Sequence, residues 1–413
     1  MWVEPDTNMA SGEALIRQLL YGKKYYKEEF GVDSQMLWLP DTFGYTAALP
    51  QILNSCGVRY LVTQKIFWSY NEGEQFPYHY FYWEGMDGSK ITSFLPTSYT
   101  YRTDPSELIG VWENRSQKRD LDAFLLPFGY GDGGGGPARD YLEYAKREKD
   151  LEGCPKVKQE NPITFFKDME AEGGPKHTYT GELYFSAHRG TYTSQAMVKQ
   201  NNRRCELSMR ELELWSTLAA LKGKAYPAEA VERLWKEVLL HQFHDILPGS
   251  SIHEVYEQTK KEYAEIAETS AKLIGERMEA LCGTKDESVT VWNTLGHRRN
   301  DVVVLGETAA EAMTDGTTVY PVQQTKDGAI VYAENLPSKG YQVLRPTSGA
   351  AAETPFAVTE AGEGYTLETP FYTIQIDANG EFTSLYDKEN DREVLQSGTT
   401  GNELRIYEDK PLQ

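Results

Sequence analysis

The run Leu37-Trp38-Leu39-Pro40-Asp41-Thr42-Phe43-Gly44-Tyr45 constrains this chain more than any other stretch. An apolar strand stops at a proline, which has no N–H for a sheet ladder, and a carboxylate enters the loop that follows. Before it, Ser11 to Phe30 predicts a helix with Ser11 as N-cap and Leu15, Ile16, Leu19 and Leu20 on one face. After it, Thr46 to Cys56 predicts a second helix closed by Gly57, and Val58 to Thr63 the next strand. An α-β-α-β order builds parallel sheets and barrels, whose chemistry collects at the C-terminal ends of the strands. Asp41 falls at such an end, where it serves either as a cap for the next helix or as a reacting carboxylate.

The period of the apolar residues then changes twice. Up to about residue 195, short strands such as Ile91 to Leu95 and Ala123 to Phe128 alternate with helices such as Pro137 to Lys149, giving a parallel α/β domain. From Arg203 the period becomes 3.6, clearest in Val231, Leu234, Trp235, Val238, Leu239 and Phe243. Three helices at roughly 203–222, 227–244 and 251–282 suit a bundle. Beyond Asp286 short β segments take over, including Val302 to Leu305 and Phe371 to Ile376, the latter followed by the turn Asp377-Ala378-Asn379-Gly380. The expected domains are 1–195, 196–285 and 286–413, and 413 residues suffice for two or three cores.

Charge excludes some partners. With 42 basic against 62 acidic residues, the net charge of -20 disfavours nucleic acid and anionic membranes, and a neutral, hydroxyl-rich ligand is compatible with it. Cys56, Cys154, Cys205 and Cys282 form no C-x-x-C pair, so reduced thiols are expected. No apolar run of about 18 residues exists, and Glu4 and Asp6 stand where a signal peptide needs an apolar core, so a cytoplasmic location is expected.

Two further clusters can carry chemistry. Gly129-Tyr130-Gly131-Asp132-Gly133-Gly134-Gly135-Gly136-Pro137 follows the strand expected to end at Phe128, and so places Asp132 on the same edge as Asp41. Its glycines serve either a flexible turn or close backbone approach to a ligand; a phosphate loop would end in Lys-Ser/Thr, which is absent. In His241-Gln242-Phe243-His244-Asp245 two histidines lie three residues apart with Glu237 one turn back, which reads as a metal half-site or as helix-terminal histidines favoured by the dipole. Leu247-Pro248-Gly249 ends that helix.

The segment Trp38 to Leu53 resembles the nucleophile loop of glycoside hydrolase family 38, the metal-dependent retaining α-mannosidases. Four other segments match in the same order: Met1-Trp2-Val3-Glu4-Pro5-Asp6 with Ser11-Gly12-Glu13, Trp83 to Gly88, His188 to Thr193, and His244 to Ser250. The likeness is nearest to the bacterial branch and runs to about Cys282. It implies an α/β barrel-type catalytic domain, a three-helix bundle and the start of an all-β sandwich. It also implies Asp41 as nucleophile and metal ligand, Asp132 as general acid, His244 as metal ligand and Asp245 as a sugar-binding neighbour. Lys65, Tyr99, His188 and Arg189 become candidates for holding hydroxyls, and His241 is left to packing. The implied reaction is hydrolysis of α-mannosyl oligosaccharides with a divalent ion, zinc ahead of calcium or cobalt, with a homodimer as a candidate assembly. The family's upstream His-x-Asp metal strand has no counterpart here, so the resemblance describes an incomplete barrel, a shortened C-terminal β region and a fragment that binds metal poorly. The rival readings are an inactive fragment and a metal-dependent deacetylase on a similar barrel, although no Asp-His-His set appears.

Overall fold

The computed structural model describes residues 1–70, 73–131, 134–283, 287–349 and 355–408. The chain divides into two compact units, Met1–Thr284 and Lys285–Gln413.

In the first unit, helix α1 (Gly12–Phe30) starts where the Ser11 hydroxyl accepts from the Ala14 N–H and stops at Gly31, whose φ of 69° lets its N–H reach back to Lys27. Strand β1 (Met36–Trp38), helix α2 (Leu49–Ser55), strand β2 (Tyr60–Val62), the hairpin β3 (Tyr80–Glu84) and β4 (Lys90–Phe94), helices α3 (Pro105–Asn114), α4 (Arg139–Arg147) and α5 (Pro162–Ala171), and strand β5 (Thr178–Thr180) follow. The sheet order is β1-β2-β4-β3-β5. Its β1/β2, β2/β4 and β3/β5 pairs are parallel, while β3 and β4 run antiparallel through the Met86-Asp87-Gly88 turn, so the expected all-parallel sheet is corrected to a mixed one.

Alternate residues of these strands enter two cores. Leu37, Leu61 and Ile91 join a cluster with Leu15, Leu19, Val238 and Leu239, whereas Tyr60, Val62 and Phe94 pack with Phe165, Phe166 and Met169 of α5. A sheet buried on both faces reads as unbroken apolar runs. Helices α6 (Ala196–Ala220), α7 (Ala228–Leu240) and α8 (His253–Cys282) pack on one another and share the first of those cores.

The segment Ala123 to Phe128 is not a strand. Among the described residues its only ladder contact is the Tyr101↔Phe128 bridge, and Phe124 turns onto Phe94 and His79, so the segment covers the sheet instead of extending it. Helix α2 starts at Leu49, three residues later than expected, because the Ala47 carbonyl accepts from the Met86 N–H of the hairpin turn.

The second unit holds two antiparallel sheets. One contains β6 (Val289–Asn293), β7 (Arg299–Gly306), β8 (Ala312–Thr314), β9 (Val319–Thr325), β10 (Gly328–Leu336) and β11 (Gly340–Thr347) in the order β6-β11-β8-β9-β10-β7. The other is a meander of β12 (Ala357–Ala361), β13 (Gly364–Glu368), β14 (Tyr372–Ile376), β15 (Phe382–Asp387) and β16 (Arg392–Glu393).

His79 ties two of the site-bearing segments of the first unit together. Its Nδ1–H donates to the Leu95 carbonyl at 2.6 Å, Nε2 accepts from the Ser116 N–H at 3.1 Å, and the ring stacks on Phe67 with centroids 4.5 Å apart. Burial pushes the imidazole down to about 4, so it folds neutral. Neutrality contributes stability that is complete above the ordinary histidine range near 6.5 and is lost as pH falls towards 4. The urea midpoint of the unsubstituted chain should therefore fall more steeply between pH 6.5 and 4.5 than that of His79→Gln; parallel curves would contradict this.

Candidate functional site

The edge formed by the C-terminal ends of β1, β2 and β4 gathers five of the residues singled out in the sequence. Leu39 extends β1 by donating to the Val62 carbonyl, Pro40 ends the ladder, and the loop from Asp41 to Gly44 is pinned from three sides. Thr7 donates to the Gly44 carbonyl at 2.8 Å and Thr42 to the Pro5 carbonyl at 3.2 Å. Tyr45, wholly buried, donates to the Leu39 carbonyl at 3.0 Å and accepts from the Thr63 hydroxyl. Burial and the nearby carboxylates push that phenol far above its ordinary range, so it remains a neutral clamp.

Asp41 is thereby held at the mouth of the sheet, 24% exposed. After β2 the chain makes a 3-10 turn at Lys65–Phe67, and the Lys65 ammonium reaches Asp41 Oδ1 at 2.6 Å while itself only 8% exposed. Tyr99, on the loop after β4, directs its hydroxyl at both Asp41 oxygens from 3.3 Å. From the turn that ends α7, His244 brings Nε2 to 3.8 Å from Asp41 Oδ2 and 3.9 Å from an oxygen of Asp245.

The orientation of His244 is fixed by main chain. Its own N–H and its Nδ1–H both meet the Glu4 carbonyl, at 3.1 and 3.0 Å. With Nδ1 committed as donor, the Nε2 lone pair faces two carboxylates, which is how a ligating histidine is usually set. The chemistry of the pair Asp41 Oδ2 and His244 Nε2 fits a divalent cation. Among the described residues, however, no group of three or more His, Cys, Asp or Glu side chains is arranged to hold one.

His188 lies against this cluster rather than in it. Its ring sits between Phe43 and Phe185 at 4.9 and 4.8 Å, and burial together with the Lys65 charge lowers its basicity. Arg189 is exposed on the same turn. Asp132 lies outside the described residues. His241 is a packing residue: buried, its ring contacts Tyr263 at 4.7 Å and Nε2 is 3.0 Å from Glu262.

Glu4 carries a role that the sequence reading gave to no residue of its segment. Its carboxylate is 3.8 Å from His244 Nδ1, and burial, with Asp41 nearby, raises its affinity for a proton. The signal was the Met1 to Asp6 match itself, which implied proximity without saying to what.

Comparison with known proteins agrees across the chain. Residues 1–182 match the model for "Glycosyl hydrolases family 38 N-terminal domain", 186–281 that for "Alpha mannosidase middle domain", and 367–413 that for "Glycosyl hydrolases family 38 C-terminal domain". The whole chain is 35% identical to Alpha-mannosidase 2C1 of Homo sapiens and 33% identical to Alpha-mannosidase G of Dictyostelium discoideum. It spans 39% and 41% of those proteins. In fold it resembles the crystal structure of an alpha-mannosidase from Enterococcus faecalis V583, with TM-score 0.71 at 18% identity over 95% of this chain and 52% of that one.

The Asp41 loop gives its own test. Gly44 has φ +128°, and a Cβ there would lie 2.5 Å from the Asn8 side-chain nitrogen. Gly44→Ala should cost about 1–3 kcal/mol in urea unfolding; an unchanged midpoint would show that the loop is not clamped as described.

Proposed function

The chain belongs to glycoside hydrolase family 38, and from that premise we propose that the Asp41 edge is part of an α-mannosidase active site, acting on α-mannosyl oligosaccharides by a retaining double displacement. The observation that carries the reading is the treatment of Asp41: a strand-end carboxylate with one oxygen neutralised by a buried lysine and the other facing His244. In the proposed first step Asp41 attacks the anomeric carbon and forms a glycosyl ester, while Asp132 protonates the departing oxygen; in the second, Asp132 takes a proton from the water that cleaves the ester. Lys65 and Tyr99 orient the Asp41 carboxylate for attack through their contacts with its oxygens. Asp245, His188 and Arg189 are assigned to substrate hydroxyls.

Asp41 and His244 would together hold the divalent ion of this family, zinc being favoured by the mixed imidazole and carboxylate donors. Such an ion would polarise sugar hydroxyls beside the reacting carbon. We assign 1–195 as the catalytic domain, 196–285 as a three-helix middle domain and 286–413 as a β-sandwich region, supported by the spans of the three family models. A cytoplasmic setting is supported by four free cysteines. Among the described residues no helix is long and apolar enough to cross a membrane.

The pairwise donor set favours a companion reading, in which this 413-residue chain alone binds metal weakly and turns over little. Elemental analysis and an aryl α-mannoside assay decide it: substoichiometric metal with weak hydrolysis is expected, and stoichiometric metal with robust hydrolysis would contradict it.

In an active enzyme carrying this sequence, Asp41→Asn should lower turnover by about 10³-fold or more with the fold intact. Near-normal hydrolysis of an aryl α-mannoside would make Asp41 structural. Asp132→Ala should slow substrates with poor leaving groups far more than activated aryl mannosides, since only the former need a proton on the departing oxygen. Equal losses would remove Asp132 from the acid role.

A further inference from the structure

Among the described residues Trp68 is the only exposed tryptophan, at 54%, and it stands one contact away from Asp41. Its place follows from the 3-10 turn Lys65–Phe67, where the Trp68 N–H donates to the Lys65 carbonyl at 2.9 Å. In a 3-10 turn residues i and i+3 eclipse, so the Lys65 and Trp68 side chains are stacked by backbone geometry. The Lys65 ammonium accordingly lies 3.8 Å from the centre of the Trp68 ring while it pairs with Asp41 at 2.6 Å. The turn is anchored on both sides: Phe67 stacks on His79, and Ser69 hydrogen-bonds Ser186 at 2.8 Å.

Lys65 touches both of the others, and its side chain is 8% exposed against 24% for that of Asp41 and 54% for Trp68. A large apolar ring left in water at the rim of a site, rigidly held and beside a buried ion pair, is the usual form of a ligand-facing aromatic. The apolar face of a pyranose, built from axial C–H groups, complements such a ring.

We propose that Trp68 is a sugar-stacking platform that binds the pyranose adjoining the one held at Asp41, and so makes the site prefer α-linked disaccharides over single mannosides. This rests on the reading of the Asp41 edge as a mannoside site. Asp41 and Lys65 take the first sugar, and Trp68, which touches Lys65 and is the most exposed of the three, takes the second. Trp68 touches no reacting atom in this arrangement; it sets affinity for the second sugar.

The test is isothermal titration of a protein that carries this sequence and holds zinc stoichiometrically, against methyl α-mannoside and against a thio-linked α-mannobiose that is not hydrolysed. The disaccharide should bind about 10-fold more tightly, in line with one added aromatic contact. Trp68→Ala should erase that difference while changing methyl α-mannoside affinity by less than about 2-fold, and Trp68→Phe should keep most of it. A Trp68→Ala variant that retains the full preference overturns the platform. Equal weakening towards both ligands also overturns it, because Trp68 would then act only by holding Lys65. If that zinc-loaded, unsubstituted protein binds neither ligand, the mannoside reading of the site falls and the platform with it.

Discussion

A buried network of amides and one carboxylate holds the end of helix α7 against the segment Val3 to Asp6, and the candidate site depends on it. Gln18 of α1 accepts from the Val3 N–H at 3.0 Å and donates to the Leu239 carbonyl at 2.9 Å and to Gln242 at 3.3 Å. Gln242 in turn donates to Asn202 and Glu206 of α6, both at 3.0 Å, and Glu206 accepts from the Ser11 N–H at 2.8 Å. Gln18 and Gln242 are fully buried, with Asn202 and Glu206 nearly so. Burial raises Glu206 above the ordinary carboxylate range, the usual response to a dry setting. Polar groups in such a core are costly unless partnered, so the network admits few alternative arrangements.

Its consequence is positional. Once Gln242 is fixed, its carbonyl accepts from the Asp6 N–H at 2.8 Å and His244 donates twice to the Glu4 carbonyl. Asp6, almost wholly buried, caps its own loop by accepting from the Asn8 and Met9 N–H groups. The same loop reaches Gly44 and Thr42 through Thr7 and Pro5, so the histidine from α7 and the carboxylate from β1 are registered by one short piece of chain.

Much of this was legible in the sequence wherever a local rule governs the outcome. Asp41 is visible because an apolar strand meets a proline, and α1 because Ser11 precedes an apolar stripe. The amphipathic faces of α6 to α8 and the β-turn at Asp377 are local for the same reason. What local rules do not carry was missed. The strand expected at Ala123 to Phe128 has the right residues, yet Phe124 finds a better burial site on Phe94 and His79 than the ladder offers. The antiparallel hairpin of β3 and β4 depends on which neighbour each strand finds. Glu4 and Trp68 are ordinary letters until chain ends distant in sequence and a tight turn place them beside His244 and Lys65.

The claim on which the account turns is that Asp41 forms a bond to the substrate. A fluorinated mannosyl fluoride that traps the glycosyl ester, followed by proteolysis and mass spectrometry of an active enzyme carrying this chain, tests it directly. The account predicts one adduct on the peptide that contains Asp41, lost in Asp41→Asn. An adduct on another carboxylate, or inactivation that leaves the Asp41 peptide unlabelled, would contradict it.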